Sequence, residues 1–308
     1  MATGTFTNAP PPNAALKPVR AKARKPRESA AALWQASPMT YVALVVAALL
    51  SLFPIYYMFV VGTRSNDSLG QIPPPVTPGG NFFDNVERLF ANPDAMFLVG
   101  LGNSFIVSTA VTVSVVFFSS LAGFAFAKLR FRGSNAMLLI IIGTMMVPTQ
   151  LGIIPLYMIM ASETLSWDGQ LQAVIVPALV TGFGVFMMRQ YASQAVSNEL
   201  IEAARIDGCS TFRIFWHVVL PALRPAAAVL GLLTFMTTWN DFIWPLAVLG
   251  NGDNPTVQLS LSNLSNGYYS DMSQVFTGTA IACLPLLIVF IVFGKQIIGG
   301  IMQGAVKG

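Results

Sequence analysis

The stretch NELIEAARIDGCSTFRIFWHVVLPALRP, Asn198 to Pro225, is a charged segment in a chain that is otherwise strongly apolar. Its polar side chains have both signs: Arg205, Arg213, Arg224, Glu199, Glu202 and Asp207, together with the single histidine of the chain, His217. The 308 residues are 54% hydrophobic and 10% charged, whereas soluble domains are about 25% charged. This composition predicts a polytopic membrane protein in which the charged stretch lies outside the bilayer.

Six apolar segments lie between the charged residues, and each is close to the roughly 20 residues that a helix needs to cross a bilayer. A charge at the centre of such a helix costs about 3 kcal/mol on insertion scales, so charged positions mark the ends of the segments, except that the fifth continues past Asp241. The predicted spans cover about 41–62, 101–126, 135–160, 169–188, 225–249 and 276–293. They predict an all-α fold with six transmembrane helices in a membrane domain over residues 39–300.

The basic residues are distributed unevenly along the chain. Of the 17 Lys and Arg residues, only Arg64 and Arg88 fall outside the two termini and the second and fourth loops. The positive-inside rule therefore predicts that both termini and the charged stretch are cytoplasmic. Residues 1–38 are basic and rich in proline, which predicts a disordered tail. This tail either contacts anionic membrane lipid or only fixes the topology; a nucleic-acid partner is not expected.

Local signals divide residues 197–221, called the elbow here, into two short helices. Ser197 is a good N-cap for a helix over residues 198–206, and Gly208 suits the left-handed conformation that ends a helix. Ser210 can cap a second helix with apolar residues at helical spacing: Phe212, Phe215, Trp216 and Val219. Pro221 is expected to stop or kink that helix before the chain enters the membrane.

The elbow has two interpretations. An amphipathic helix that lies on the bilayer surface explains the apolar face by itself. A docking site for a cytoplasmic protein explains, in addition, the small residues Ala203, Ala204 and Gly208, which let another backbone approach closely. The sequence therefore favours docking.

The segment EAARIDGCSTFRIFWHVVLPALRP resembles the EAA loop of ABC importer permeases. In that family the loop forms a coupling helix that sits in a cleft of the ATPase subunit. Cys209 stands where alanine is usual, and Val218 stands where isoleucine is common; both differences are small. The resemblance, with the apolar face, implies ATPase-coupling roles for Glu202, Ala203, Ala204, Asp207, Gly208, Phe212, Phe215, Trp216 and Pro221.

The resemblance extends beyond the elbow. The segments NSFIVSTAVTVSVVFFSSLAGFAFAKLRFRG, VPTQLGIIPLYMIM and TTWNDFIWPLAVL are similar to parts of maltose-type sugar permeases. The end, GIMQGAVKG, is similar to a tail that reaches the ATPase dimer in that family, which implies ATPase contacts for Gln303, Gly304 and Lys307 in a cytoplasmic tail over 301–308.

This resemblance implies a type I ABC importer permease fold and a role in moving an oligosaccharide or disaccharide across the cytoplasmic membrane. The implied partners are a second permease subunit, two ATP-binding cassette subunits and an extracellular sugar-binding protein. The cassette subunits would bind ATP and Mg²⁺, so this chain is expected to need no cofactor of its own.

Patterns for catalysis are missing from the sequence. The chain has one histidine and no HExxH, GxxxxGKS/T or CxxC pattern, so neither a metal site nor a nucleotide site is expected. Cys209 and Cys283 are too few for a disulfide framework. The chain is therefore predicted to be a non-catalytic subunit.

A candidate substrate path lies in TTWNDFIWPLAVL, where Asp241 is an ionisable residue inside a predicted span. Such a residue indicates a functional site. Trp239, Asn240 and Trp244 add hydrogen-bonding groups and flat aromatic faces, a combination that suits a sugar. The alternative is structural: these groups tie span five to a neighbouring helix or lie at the membrane interface.

Two other functions stay open. One is a type I ABC importer permease for a different solute, such as an amino acid or glycerol phosphate. The other is a self-sufficient secondary transporter or a membrane-embedded enzyme, which would work without an ATPase subunit.

Overall fold

The computed structural model describes residues 37–250, 252–265 and 271–305, with side chains up to residue 294. Within these residues the chain forms helices and no strands, which confirms the all-α fold. The helices are α1 Pro38–Gly62, α2 Asn66–Leu69, α3 Phe82–Ala91, α4 Phe97–Lys128, α5 Ser134–Thr144, α6 Ile153–Met160, α7 Gln172–Ile175, α8 Gly182–Ala195, α9 Asn198–Ile206, α10 Thr211–Ile214, α11 Leu220–Trp239, α12 Ile243–Leu249, α13 Val257–Ser265 and α14 Met272–Ala305. Two 3-10 helices, Thr149–Gly152 and Val176–Ala178, and a π-helical segment, Phe215–Val219, complete the described elements.

Contacts divide the chain into two units inside α1. The first unit ends at Phe53 and the second begins at Pro54. The described part of the first unit is the beginning of α1, where the side chains are exposed. Exposed apolar side chains on a helix of 25 residues suit a lipid environment. The predicted basic tail, residues 1–38, lies outside the described residues except for its last two positions.

Five helical stretches of the described chain are long and apolar enough to cross a membrane: α1, α4, Gln172–Ala195, Thr211–Trp239 and Met272–Gly294. The predicted third span, 135–160, is broken, because α5 ends at Thr144 and the stretch Thr149–Met160 is bent from it by 89°. Pro148 lies at the break. It has no N–H for a helical hydrogen bond, and it disfavours the helical conformation of the preceding residue. The count is therefore five spans, or six if this bent pair counts as one.

The predicted fifth span, 225–249, has different limits. Its helical stretch begins at Thr211, inside the elbow, and ends at Trp239, after which α12 forms a separate short helix. The prediction that Pro221 stops or kinks the helix is wrong in its first part, because the helix continues through Pro221. The N–H of Leu220 bonds to the carbonyl of Phe215, five residues earlier, so the hydrogen-bond register changes just before the proline that lacks a donor.

Other predicted limits also shift. Helix α4 begins at Phe97 rather than near residue 101, and the fourth span is interrupted between α7 and α8 and continues to Ala195 rather than 188. Helix α14 runs to Ala305, well past the predicted end at 293 and into the predicted tail 301–308. Apolar periodicity locates a span but does not fix its ends, because a helix continues into water wherever its backbone bonds are kept.

Helix α4 is the centre of the second unit and contacts α8, α11 and α13. Its buried valines recur at every fourth position, Val107, Val111 and Val115, which is the spacing of one helix face. A Cβ atom added at Gly123 would lie 2.7 Å from the backbone of Met188 in α8. Small residues at helix contacts allow such close approach inside membranes, so α4 and α8 form a closely packed pair.

A polar cluster joins α3 to the beginning of α14. Arg88 makes an ion pair with Asp271, with 2.5 Å between Nη1 and Oδ2, and Arg88 also donates to Asn85 Oδ1. The amide of Asn85 is buried and donates to the carbonyls of Gly62 and Arg64 at 2.8 Å. The cluster therefore ties the end of α1, the loop helix α3 and the last membrane helix together.

Candidate coupling elbow and solute cavity

The first half of the elbow is built as its sequence predicts. Ser197 caps α9, because its hydroxyl oxygen accepts a bond from the N–H of Leu200 at 3.4 Å. Glu199 lies in the first turn, where its own backbone N–H and the hydroxyl of Ser197 hydrogen-bond to the carboxylate and lower its pKa. Ile201 is buried beneath the helix and anchors it to the bundle.

The turn of the elbow also confirms its sequence signals. Gly208 has a φ of 77°, the left-handed conformation in which a side chain is unfavourable. The N–H of Cys209 bonds to the carbonyl of Ala204 at 2.9 Å, which closes the end of α9. Ser210 then caps α10 by accepting from the N–H of Arg213 at 3.4 Å.

Most of the predicted coupling residues lie on the surface of the elbow. The exposed ones are Glu202, Ala203, Asp207, Gly208, Phe212, Trp216 and Pro221, and Ala204 is half-buried. Two apolar residues outside the predicted coupling set, Leu200 and Ile206, are also exposed, and Ile206 is 87% accessible. Their exposure could have been predicted from the sequence, because a helix of nine residues packs only one narrow face against the bundle. Ile201 already occupies that face.

The predicted apolar face of the second elbow helix is divided by the structure. Phe215 is buried, and its ring centroid lies 6.0 Å from that of Phe124 in α4. Val219 is buried as well, whereas Phe212 and Trp216 are 62% and 40% exposed. Phe215 therefore anchors the elbow to the bundle, and the surface that remains free is smaller than the sequence predicts.

A groove of about 540 Å³ separates the elbow from the end of α4. It is lined by Ala127, Lys128, Leu129, Arg130, Asn198, Ile201, Glu202 and Arg205. Lys128 crosses the groove and donates from Nζ to Asn198 Oδ1 at 3.1 Å. This bond links the start of α9 to the end of the central helix.

The predicted tail contacts are placed only in part. Gln303 and Gly304 lie near the end of α14, on the helix rather than on an extended tail. Lys307 lies outside the described residues.

A larger cavity, of about 870 Å³, lies beside the end of α11. It is lined by Val111, Thr149, Gln150, Gly152, Ile153, Leu156, Val174, Pro177, Ala178, Thr181, Phe183, Leu233, Thr234, Thr237, Thr238, Asp241, Ile243 and Trp244. Its walls come from four segments: α4, the break in the third span, the interrupted fourth span, and the stretch from the end of α11 to the start of α12. Irregular backbone at membrane depth is tolerated where it lines such a cavity.

The structure brings two of the four predicted path residues to this cavity. Asp241 and Trp244 line it. Trp239 instead lies in the core, where its Nε1 donates to the carbonyl of Ala282 at 3.1 Å. Asn240 donates to the carbonyl of Met236 at 2.8 Å and completes the end of α11. Of the four predicted path residues, Asp241 and Trp244 therefore line the cavity, whereas Trp239 and Asn240 have structural roles.

Several polar residues of the cavity were not selected from the sequence: Thr149, Gln150, Thr234, Thr237 and Thr238. The last three could have been predicted from the sequence as a polar strip, because positions 234, 237 and 238 share one helix face. Thr149 and Gln150 follow Pro148, and only the broken geometry of the third span brings them to the cavity. Among the described residues, no group of three His, Cys, Asp or Glu side chains is arranged to hold a metal ion.

An apolar bundle of helices with an exposed, capped elbow and a cavity that contains threonine hydroxyls and one carboxylate is the arrangement expected of a membrane transport permease. Residues 115–300 match the family described as the binding-protein-dependent transport system inner membrane component. The chain belongs to this family and is a multi-pass membrane protein.

Relatives cover nearly the whole chain. It is 32% identical over 268 residues to the arabinooligosaccharides transport system permease protein AraQ of Bacillus subtilis, covering 86% of this chain and 93% of AraQ. It is 35% identical over 267 residues to the lactose transport system permease protein LacG of Rhizobium radiobacter, covering 87% and 95%. It is 28% identical over 271 residues to the sn-glycerol-3-phosphate transport system permease protein UgpE of Yersinia enterocolitica, covering 85% and 95%.

A solved structure confirms the fold. A chain in the crystal structure of a bacterial ABC transporter involved in the import of the acidic polysaccharide alginate matches with a TM-score of 0.70 and 24% sequence identity. The match covers 83% of this chain and 94% of that chain. The described helices therefore follow the arrangement of an ABC importer permease.

Proposed function

We propose that this chain is one permease subunit of an ATP-driven importer that moves an oligosaccharide or disaccharide across the cytoplasmic membrane. It works with a second permease subunit, two ATP-binding cassette subunits and an extracellular sugar-binding protein. The cassette subunits bind ATP and Mg²⁺, so this chain is non-catalytic. The sugar specificity is supported by the relatives named for arabinooligosaccharide and lactose transport.

In the proposed orientation both termini and the elbow face the cytoplasm. Lys128 ends α4 at the elbow end of the bundle, and Arg130 and Arg132 follow it, which supports this orientation by the positive-inside rule. The cavity then lies toward the external side, where the binding protein delivers its solute.

One observation carries the proposal: the elbow packs against the bundle on one side and is exposed on the other, and its second half begins the helical stretch that ends at the cavity. Thr211–Trp239 is helical over 29 residues, a length of about 44 Å at 1.5 Å per residue. Phe215 ties its first part to the bundle, and Thr234 and Thr237 lie on the cavity wall near its other end. A cassette subunit that moves the elbow therefore moves the cavity wall through one helix.

The test compares a substitution at Gly208 with the same substitution at Gly133, another glycine with a positive φ. Gly208 and Gly133 have φ values of 77° and 83°, and neither has an atom within 4 Å of an added Cβ. Gly208→Val and Gly133→Val therefore impose similar backbone strain, one in the elbow and one just before α5, without a clash inside the chain. We expect Gly208→Val to abolish ATP-driven sugar uptake and binding-protein-stimulated ATPase activity, while Gly133→Val keeps both.

A third variant separates strain from contact. Asparagine tolerates the left-handed conformation, so Gly208→Asn should fold and assemble normally but place a side chain where a partner backbone approaches. Reduced ATPase stimulation in Gly208→Asn, with normal amounts in the membrane, supports docking at this turn. Full uptake by Gly208→Val would contradict the proposal.

A second candidate substrate is glycerol phosphate, which the relative UgpE favours by its name. Titration of the partner binding protein with lactose, arabinooligosaccharides and glycerol 3-phosphate distinguishes the two solutes directly. Tight binding of glycerol 3-phosphate alone would replace the sugar in this proposal and leave the permease role unchanged.

A further inference from the structure

We propose that this chain contacts the transported solute through the 870 Å³ cavity, and that Asp241 makes the cavity selective for uncharged, hydroxylated solutes over anionic ones. The inference rests on the proposed function, because it requires the cavity to lie on the translocation path. It adds a substrate charge class and the residues that set it: Thr237, Asp241 and Trp244.

Two polar groups near the end of α11, Thr237 and Asp241, can accept hydrogen bonds from a solute in the cavity. The hydroxyl proton of Thr237 is already used, because the group lies 2.9 Å from the carbonyl of Leu233 and 3.0 Å from that of Thr234. Its oxygen can still accept. The carboxylate of Asp241 accepts only. A sugar can donate a hydrogen bond from every hydroxyl group, whereas an ionised phosphate or carboxylate brings further acceptors.

Trp244 offers the cavity an apolar face. Its Nε1 donates to the carbonyl of Ala173 at 3.1 Å, which uses the only polar group of the indole and fixes the ring against α7. The exposed part of the ring is therefore suited to the C–H groups of a pyranose or furanose. An aromatic face beside hydrogen-bond acceptors is a site for a neutral sugar.

The charge of the cavity has one sign. Asp241 is the only charged residue among the lining side chains of the described chain, and no Lys, Arg or His joins it. The backbone N–H groups of Trp244, Ile243 and Phe242 lie near its carboxylate. Two like charges in one partly desolvated space repel each other more strongly than they do in bulk water, so an anionic solute is disfavoured here.

The experiment probes the electrostatic potential in the cavity, in the complete transporter reconstituted in proteoliposomes. Thr237→Cys is introduced into a chain that also carries Cys209→Ser and Cys283→Ser. Its rate of modification is measured with a cationic trimethylammonium and an anionic sulfonate methanethiosulfonate of similar size. We expect the cation-to-anion rate ratio to fall by about fivefold to tenfold when Asp241→Asn is added, because a charge in the same cavity acts in opposite directions on the two reagents.

Two controls make this result specific. A chain that keeps Cys209 alone, with Cys283→Ser, reports from the elbow, and its rate ratio should not change with Asp241→Asn. An uncharged methanethiosulfonate should modify Thr237→Cys at the same rate with and without Asp241→Asn. An unchanged charge ratio at Thr237→Cys, or an equal change at Cys209, overturns the electrostatic part of the proposal.

Protection by solutes tests the contact. Lactose, maltose and arabinotriose serve as uncharged probes, and glycerol 3-phosphate and a uronate disaccharide serve as anionic probes. We expect at least one uncharged probe, and neither anionic probe, to slow the modification of Thr237→Cys. Protection by an anionic probe, or by no probe, overturns the inference. ATP-driven uptake is measured in the same proteoliposomes to separate this inference from the proposed function. Normal uptake with no protection rejects the inference and leaves the proposed function intact.

Discussion

The elbow and the cavity are built in opposite ways. The elbow is one continuous segment, and its form follows from local devices: two serine caps and a glycine with positive φ. The cavity is assembled from four separate segments between Val111 and Trp244, and none of them contains it alone. A part that receives force can be encoded locally, whereas a part that surrounds a solute needs the whole bundle.

This contrast is sharpest at Phe215, which connects the elbow to the bundle. Phe215→Ala removes a fully buried ring and should lower the free energy of unfolding by about 3–5 kcal/mol. Phe212→Ala, three residues earlier on the exposed side, should leave stability nearly unchanged and reduce only ATPase stimulation. Thermal unfolding of both purified variants measures the difference. Equal stability of the two variants would show that the anchor lies elsewhere.

The sequence predicted the elbow better than the cavity for the same physical reason. Ser197, Gly208 and Ser210 act on residues within one turn, so their roles can be predicted from adjacent letters. The burial of Phe215 depends on Phe124, which lies far away in the sequence, and helical spacing alone could not separate it from Phe212. Trp239 and Trp244 differ in the same way, because their partners Ala282 and Ala173 lie on other helices.

Alanine variants of two helix caps, one in the elbow and one at the cavity, allow the local stability of the two regions to be compared. Ser197 caps α9 in the elbow, and Thr181 caps α8 at the cavity, where its hydroxyl accepts from the N–H of Gly184 at 3.1 Å. Each alanine variant should cost about 1 kcal/mol. Hydrogen exchange should show that Ser197→Ala loosens residues 198–206 alone, whereas Thr181→Ala also changes solute protection at Thr237→Cys. Exchange that spreads from Ser197→Ala into α11 would show that the elbow is less independent than proposed.

The smallest expected effect concerns the ion pair between Arg88 and Asp271, away from both regions. Partial burial raises the pKa of Asp271, but hydrogen bonds from Ser273 and Gln274 and the charge of Arg88 outweigh it and hold the pKa below its usual value of 3.8. A carboxyl group with a lowered pKa stabilises the fold above its unfolded pKa, and this contribution is lost as the pH falls through the folded pKa.

Asp271→Asn should therefore cost roughly 0.5 kcal/mol at pH 7, the value for an exposed pair, and nothing once the pH is well below 3.8. Unfolding by denaturant at several pH values measures this difference. The Glu199→Gln variant in the elbow is the matched comparison, since it removes another carboxylate of lowered pKa that has no ion pair among the described residues. A pH-independent difference for Asp271→Asn would mean that its charge is not involved.

The break in the third span has an electrical consequence. Thr149 and Gln150 follow Pro148 and lie on the cavity wall, so backbone groups freed from the helix need water there. In the proposed orientation, water that filled the cavity would carry the external potential down to about the level of Val111, near the middle of α4. In the proposed orientation most of the membrane voltage then falls across the remaining half of the usual hydrocarbon thickness, about 15 Å of the roughly 30 Å total. The field in that layer is about twice that of an unbroken bilayer, and a neutral solute crosses it without electrical work.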